Sequence, residues 1–466
     1  MGAENQLETI TENTCFTWRS IGLTRTDHFH PRVHIGRIRI SALDLNKQLC
    51  RQPYKGERTM EKLTFDILKK AMTGTASAFR CVTEYQPAGG VGDKVFPPTY
   101  EGGKYATEDR IVDGQTVPCV LLDSVQSQAN RMELSLLEAL RANRIELPLI
   151  TVIFDDDRLK KKFTVTSLDA PHRVADAILR DSLLDGVMFR KSEKGKVLDT
   201  ADVCNATGLF GLNPTALVFG IWDSTGPRGG LGAKFQRALV SEMIGFNATG
   251  GIKTKSRIDP AQIMLGAGPV YERAEKKDNM PSWTLDAALA SKDKNQPKKL
   301  GKDGKPSEAN HSNITPSIAN GGFTISRALQ TTVLSLTALR RLRFPLNNEA
   351  DSDVFVDQAA RVTLAAIGLV AATLVREEGA DLRSRCQLFP TQKFVWELLD
   401  TPGEKPKAFN LTGKESEELM RQAIAEAITA KLPWLGNISL KPTPELIQLV
   451  AKSQELAMHQ TMEGSE

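Results

Sequence analysis

Aromatic residues are scarce, at 6% of 466 residues, and there are only six histidines. No run places Phe, Tyr or Trp closely enough to form an RNP1-like stacking surface, which excludes the usual sheet-borne reader of unpaired bases. The six cysteines (Cys15, Cys50, Cys81, Cys119, Cys204, Cys386) stand singly. With no CxxC pair and no Cys/His spacing, neither a disulfide framework nor a zinc site is expected, and the chain reads as reduced, intracellular protein. Long apolar runs are missing too. The most apolar segment, VTLAAIGLVAATLV (362–375), is closed by Arg361 and Arg376. It falls short of the roughly 20 residues that a bilayer needs and reads as a core helix. The start, MGAENQLETITEN, is polar and acidic, unlike a signal peptide, and Gly2 lacks the Ser or Thr that myristoylation expects four residues later. Cytoplasmic localisation without membrane contact is the expectation.

What is present is ordinary globular composition, 41% apolar and 25% charged. The length suits about three average domains or one large decorated domain. A net charge of +4 does not by itself call for nucleic acid, but its distribution provides local patches that could track a polyanion. Basic residues gather in RVHIGRIRI (32–40), KTKSR (253–257), the Lys-rich run 292–305 and RRLR (340–343).

Residues 28–40 alternate as a half-buried strand with a basic outer face and a bulge at Gly36. A Gly/Pro-rich loop (85–105) leads into a hairpin through RIVDGQTVPCVLLD, with Asp113-Gly114 as its turn. A helix over 123–141 precedes the apolar strand LPLITVIF (147–154), and TALVFGIWDS (215–224) reads as a second such strand. Residues 272–316 form a Lys-rich insertion, flexible unless bound. The last 150 residues read as mostly helical, from TISRALQTTVLSLTALRRLRF through a 357–376 core helix, SEELMRQAIAEAITAKL and TPELIQLVAKSQELAM.

The helix 123–141 begins with unusual polarity. Asp123 and Gln126 have capping-box spacing, and Val125, Ala129, Met132, Leu136 and Leu140 form a core stripe. Ser124, Ser127, Gln128, Arg131 and Ser135 flank it on one side, and Gln126, Asn130 and Glu133 on the other. Two readings fit: Gln128, Asn130 and Arg131 face phosphate, sugar and base edges, or these side chains pack internally. A second polar site follows at TGPRGGLGAKFQRALVSEMIGF, a Gly-rich turn opening a helix as phosphate sites do. Lys234, Arg237 and Ser241 would share one face of that helix, with Glu242 on the apolar side, either paired with an Arg or acting as an acid. The glycine spacing matches neither GxGxxG nor a P-loop, so a polymer phosphate fits better than a nucleotide.

Catalytic constellations are few. His28, His30 and His34, with Asp27, allow a metal site or metal-free ribonuclease chemistry, or simply a solvated or RNA-facing edge. DDDR (155–158) reads either as a Mg²⁺ ligand set or as a solvated acidic turn. The Lys run at 292–305 is either a solubilising loop or a polyanion-contacting arm. No metal and no cofactor is expected.

Taken in order, QPAGGVGDKVFPPTYEGGKY, DSVQSQANRMEL, KFQRALVSEMIGFNA, KTKSRIDP and LSLTALRRLRF resemble the crRNA-binding backbone subunit of type I-G (formerly I-U) CRISPR Cascade complexes, in the RAMP superfamily. The resemblance runs from about residue 20 to 440, with the insertion outside it. It implies an α+β fold: an RRM-like (ferredoxin-like) palm with an antiparallel sheet, finger and thumb insertions, and a helical C-terminal part. The corresponding division is 20–271 for the first part of the palm, 272–316 for the insertion and 317–455 for the mostly helical remainder. It also implies a non-enzymatic subunit that polymerises head to tail along crRNA so that its bases pair with a target DNA strand. The implied partners are further copies of itself, a large Cascade subunit, a RAMP processing and capping subunit, and a recruited helicase-nuclease. Carried over residue by residue, the guide contacts are Gln128, Asn130, Arg131, Lys234, Arg237, Lys253, Lys255 and Arg257, with Lys94 of the Gly/Pro loop. A RAMP endoribonuclease using His28 or His30, or a generic single-stranded RNA-binding protein, are the rival readings.

Overall fold

The computed structural model describes residues 60–224, 226, 232–275, 277, 279–347 and 349–463. The strand expected at 28–40 and its histidines lie outside the described residues. In chain order the elements that matter are α1 (Phe65–Thr73), β1 (Ala78–Pro87), β2 (Thr107–Val112), β3 (Gln115–Asp123), α2 (Val125–Arg141) and β4 (Leu149–Phe154). Then come β5 (Leu239–Phe246), β6 (Thr249–Arg257), β7 (Ile314–Thr324), β8 (Arg327–Ser335) and α3 (Val354–Glu378). The chain ends with β9 (Trp396–Leu399), α4 (Gly413–Thr429), β10 (Asn437–Pro442) and α5 (Pro444–Glu463).

The fold is α+β. Within its ten-stranded main sheet the order β9-β1-β8-β5-β3-β2 is antiparallel throughout, and a short parallel pair, Glu61–Lys62 with Lys407–Asn410, lies at one edge. Alternation sorts the side chains: Phe79, Cys81, Thr83 and Tyr85 of β1, and Ala328, Gln330, Thr332 and Leu334 of β8, are buried on one face. That face carries α2 and α3. Arg80, Val82 and Glu84, with Thr331 and Val333, lie on the more open face. The β2–β3 hairpin turns as its Asp-Gly signal predicts, with φ of 51° at Asp113 and 78° at Gly114. β4 and β10 pair in parallel at the centre of a second, five-stranded sheet.

The core helix is α3, and it is longer than its apolar run suggested. It is the one helix among the described residues long and apolar enough to cross a membrane, yet 94% of that window is buried inside the protein. Asp353 caps its start by accepting from Phe355 N and Val356 N at 2.7 and 3.2 Å. Gly368 lets it approach β8, since a Cβ there would stand 2.9 Å from Leu334 Cδ1. Gly368→Val is therefore expected to cost about 1–3 kcal/mol through overpacking, read as a lower urea midpoint.

Three expected elements are corrected. The helix expected over 234–246 is the short strand Lys234–Phe235 followed by β5. Apolar residues at 235, 239, 243 and 246 suit a helical period, but Leu239, Ser241 and Met243 also alternate inward, and pairing with β3 and β8 decides the matter. The helix expected from 324 is β8, whose inward Gln330 and Thr332 hide the period-two pattern. The strand expected over 215–224 is mainly the helix Pro214–Phe219, with Pro at its first turn and Gly220 at φ 82° ending it. That run is buried all round, so periodicity could not separate helix from strand.

Candidate nucleic-acid interface

The polar start of α2 faces inward. Ser124, not Asp123, is the N-cap, its Oγ accepting from Ser127 N at 3.2 Å. Asp123 is fully buried at the end of β3, where Gln128 Nε2 and Arg131 Nε donate to its Oδ2 at 2.7 and 2.9 Å and Arg383 Nη2 stands 3.6 Å from Oδ1. Gln128 Oε1 accepts from Ser241 Oγ at 2.9 Å and from Gln330 Nε2 at 2.7 Å. Gln330 Oε1 accepts in turn from Tyr85 Oη at 3.0 Å, and Ser241 shares a 2.8 Å hydrogen bond with Thr332. Burial pushes the Tyr85 phenol up to about 12, so it stays a donor.

This network ties β3, β5 and β8 together through Gln128, and reaches β1 through Gln330. For Gln128 and Arg131, internal packing is what the geometry gives, because Arg131 also donates to the Leu382 carbonyl at 2.6 Å. Asn130 is exposed. Glu133, expected on an outer flank, is buried against Arg173 at 2.6 and 2.8 Å, and burial raises its carboxyl to about 7 against the pull of that guanidinium.

Arg237 belongs to the same interior region. Half-buried, it has its pKa lowered by burial and by the Arg173 charge, and its stem lies over Gly220. Glu242 pairs with Arg110 at 2.8 Å, as an ion pair rather than a free acid. Asp155 and Asp157 both pair with Lys162, and Asp156 with Arg158, so DDDR is an ion-paired turn. No group of three or more His, Cys, Asp or Glu among the described residues could hold a metal ion.

The cations of KTKSR have a different setting. β5 and β8 run on beyond the sheet as β6 and β7, a two-stranded ribbon. Both of its register shifts put the extra residue in β7, so positions 251, 253, 255 and 257 keep alternating along one face of β6. The Gly/Pro loop reaches the ribbon base, where Val95 and Phe323 exchange backbone hydrogen bonds at 2.9 and 2.8 Å. Lys94 then lies over Gly251 and donates to the Ile252 carbonyl at 2.7 Å. Lys253 lies over Gly321, where a Cβ would meet its Cδ at 2.7 Å. The missing side chains at 251 and 321 let both lysine stems lie flat, a role that neighbouring Gly322, at φ 74°, complements by turning the backbone.

Lys94, Lys253 and Lys255 thus form a cationic row, and none has an ion-pair partner among the described residues. Arg257 is spent differently, donating twice to the Ser312 carbonyl at 3.1 and 2.9 Å and closing the base of the 258–313 segment. Within that segment Tyr271–Glu272 pairs with Trp283–Thr284, and Lys292–Asp293 with Gln296–Pro297. Lys234 lies near the other end of β5, separated from the ribbon by an eight-residue strand, roughly 25 Å at the usual rise. The structure therefore brings together Lys94, Lys253 and Lys255, and separates them from Lys234 and from the buried Gln128 cluster.

The described residues thus form a mixed α+β protein that carries a glycine-lined cationic ribbon. Residues 79–250 match the family model described as CRISPR-associated protein GSU0053. A comparison with curated proteins finds no match. Among solved structures, the chain is similar to the crystal structure of Thermofilum pendens Csc2, at 10% identity and a TM-score of 0.25, covering 83% of this chain and 79% of that one.

Proposed function

We propose that this chain is the crRNA-gripping backbone subunit of a type I-G Cascade complex, a non-enzymatic cytoplasmic protein that polymerises head to tail along the guide. Its partners are crRNA, target DNA through the guide, further copies of itself, a large Cascade subunit, a RAMP capping subunit and a recruited helicase-nuclease. One observation carries the reading: a chain whose residues 79–250 match a CRISPR-associated family model presents the row Lys94, Lys253 and Lys255 with no ion-pair partner among the described residues. Such a row takes phosphates regardless of sequence, which suits a guide whose bases carry the information.

The palm reading has support in the strand order. Counting β1, β5, β8 and β9 as strands one to four, with α2 and α3 as the crossover helices, gives βαββαβ connectivity and spatial order 4-1-3-2, that of a ferredoxin-like sheet. The β2–β3 hairpin is then an insertion added at the edge, and the β6–β7 ribbon with its 258–313 segment is the thumb.

Co-expression with a CRISPR array, followed by sizing and sequencing of the RNA that purifies with the protein, tests this. Spacer-containing RNA protected in regular length steps is expected. Absence of RNA, or heterogeneous RNA cut by the protein itself, would move the assignment to a generic binder or to a ribonuclease.

A further inference from the structure

At the end of the central strands opposite the ribbon, residues 221–222 and 234–235 form a small antiparallel pair in which Trp222 stands across from Lys234. Trp222 is 62% exposed, unusual for an indole in a chain with few aromatics, and Lys234 Nζ lies 5.5 Å from its ring centroid. Lys234 also lines a cavity of about 260 Å³ with Gln236, Leu339 and Arg341. Lys234, Gln236 and Arg341 are all exposed, and neither cation pairs with a carboxylate among the described residues. Backbone bonds fix the site to the palm: Ala238 N donates to Val218 O at 2.9 Å and Ser335 N to Ala238 O at 2.8 Å.

We propose that Trp222, Lys234 and Arg341 form a single-stranded RNA subsite in which one base stacks on the exposed indole and the two cations take the flanking phosphates. An exposed indole beside unpaired cations is the combination that single-strand sites use, because every base has a π-face and every linkage a phosphate. The site lies roughly 25 Å along β5 from the lysine row, so one extended strand can engage both. This rests on the RNA-binding reading above and adds to it a contact that reads a base face rather than the backbone.

The test uses the full chain, a labelled oligouridine and the matching abasic ribose-phosphate oligomer, with binding followed by anisotropy over a salt series. Trp222→Ala is expected to weaken oligouridine binding about tenfold and leave the abasic oligomer unaffected, while Trp222→Phe retains most of the affinity. Lys234→Gln and Arg341→Gln are each expected to flatten the salt slope by about 0.7 on both oligomers. Oligouridine binding unchanged in Trp222→Ala overturns the subsite, as does an equal loss on the abasic oligomer, which would report a general disturbance. Unchanged RNA binding with altered self-association would make the indole a protein contact instead. If the wild-type chain binds neither oligomer, the RNA reading falls with it; if Lys253→Gln and Lys255→Gln weaken binding while Trp222→Ala does not, only the subsite falls.

Discussion

Asp123→Ala is expected to lower the unfolding free energy by about 3–5 kcal/mol, measured by urea denaturation with circular dichroism and fluorescence followed together. The carboxylate is wholly buried and is the anionic end of the interior network. Its removal strands the Gln128 amide, which has no solvent to turn to, and leaves Arg131 and Arg383 without their shared counter-charge. Because Gln128 links Ser241 and Gln330, the damage extends to β5 and β8. Arg131→Gln should cost less, since that guanidinium is partly exposed and the Gln128 bond survives. Gln128→Ala supplies the decisive comparison. A variant as stable as wild type that has lost RNA binding would falsify the internal role assigned to this residue.

The second large effect is on affinity rather than stability. Neutralising Lys94, Lys253 and Lys255 together to Gln is expected to reduce binding to single-stranded RNA by about 10²-fold near physiological salt. The slope of log K against log salt should flatten by about 2, at about 0.7 per lost phosphate contact. The loss should be alike for RNAs of different sequence. Stability should stay within about 0.5 kcal/mol, because Lys253 and Lys255 make no ion pair among the described residues and only the Lys94 bond to Ile252 is given up. A loss confined to one RNA sequence would contradict backbone gripping. Arg257 is better left out of this set, since its bonds to Ser312 hold the neighbouring segment.

Much of the fold was legible beforehand. The Asp113-Gly114 turn, the strand ending at Phe154, the core stripe of α2 and the helices α3, α4 and α5 follow from local chemistry: residues able to adopt positive φ, unbroken apolar runs, and apolar spacing of three and four. The basic character of KTKSR was equally plain, because charge excess needs no tertiary context.

Three things depended on the tertiary structure. Residues 239–246 and 327–335 carry apolar positions that satisfy either period, and only pairing with neighbouring strands selects the extended form. The polar residues opening α2 are of the kinds that serve either a ligand or an interior network, and their partners lie about 110 to 250 residues away, at Ser241, Gln330 and Leu382. The lysine row is assembled from two distant segments: Lys94 joins the strand of Lys253 only because the Gly/Pro loop bridges to Phe323 and glycines at 251 and 321 leave room for both stems. Composition and period thus determined which elements could form and where charge would gather. Long-range pairing, which no local pattern encodes, decided which polar groups were spent inside the protein and which were left facing out.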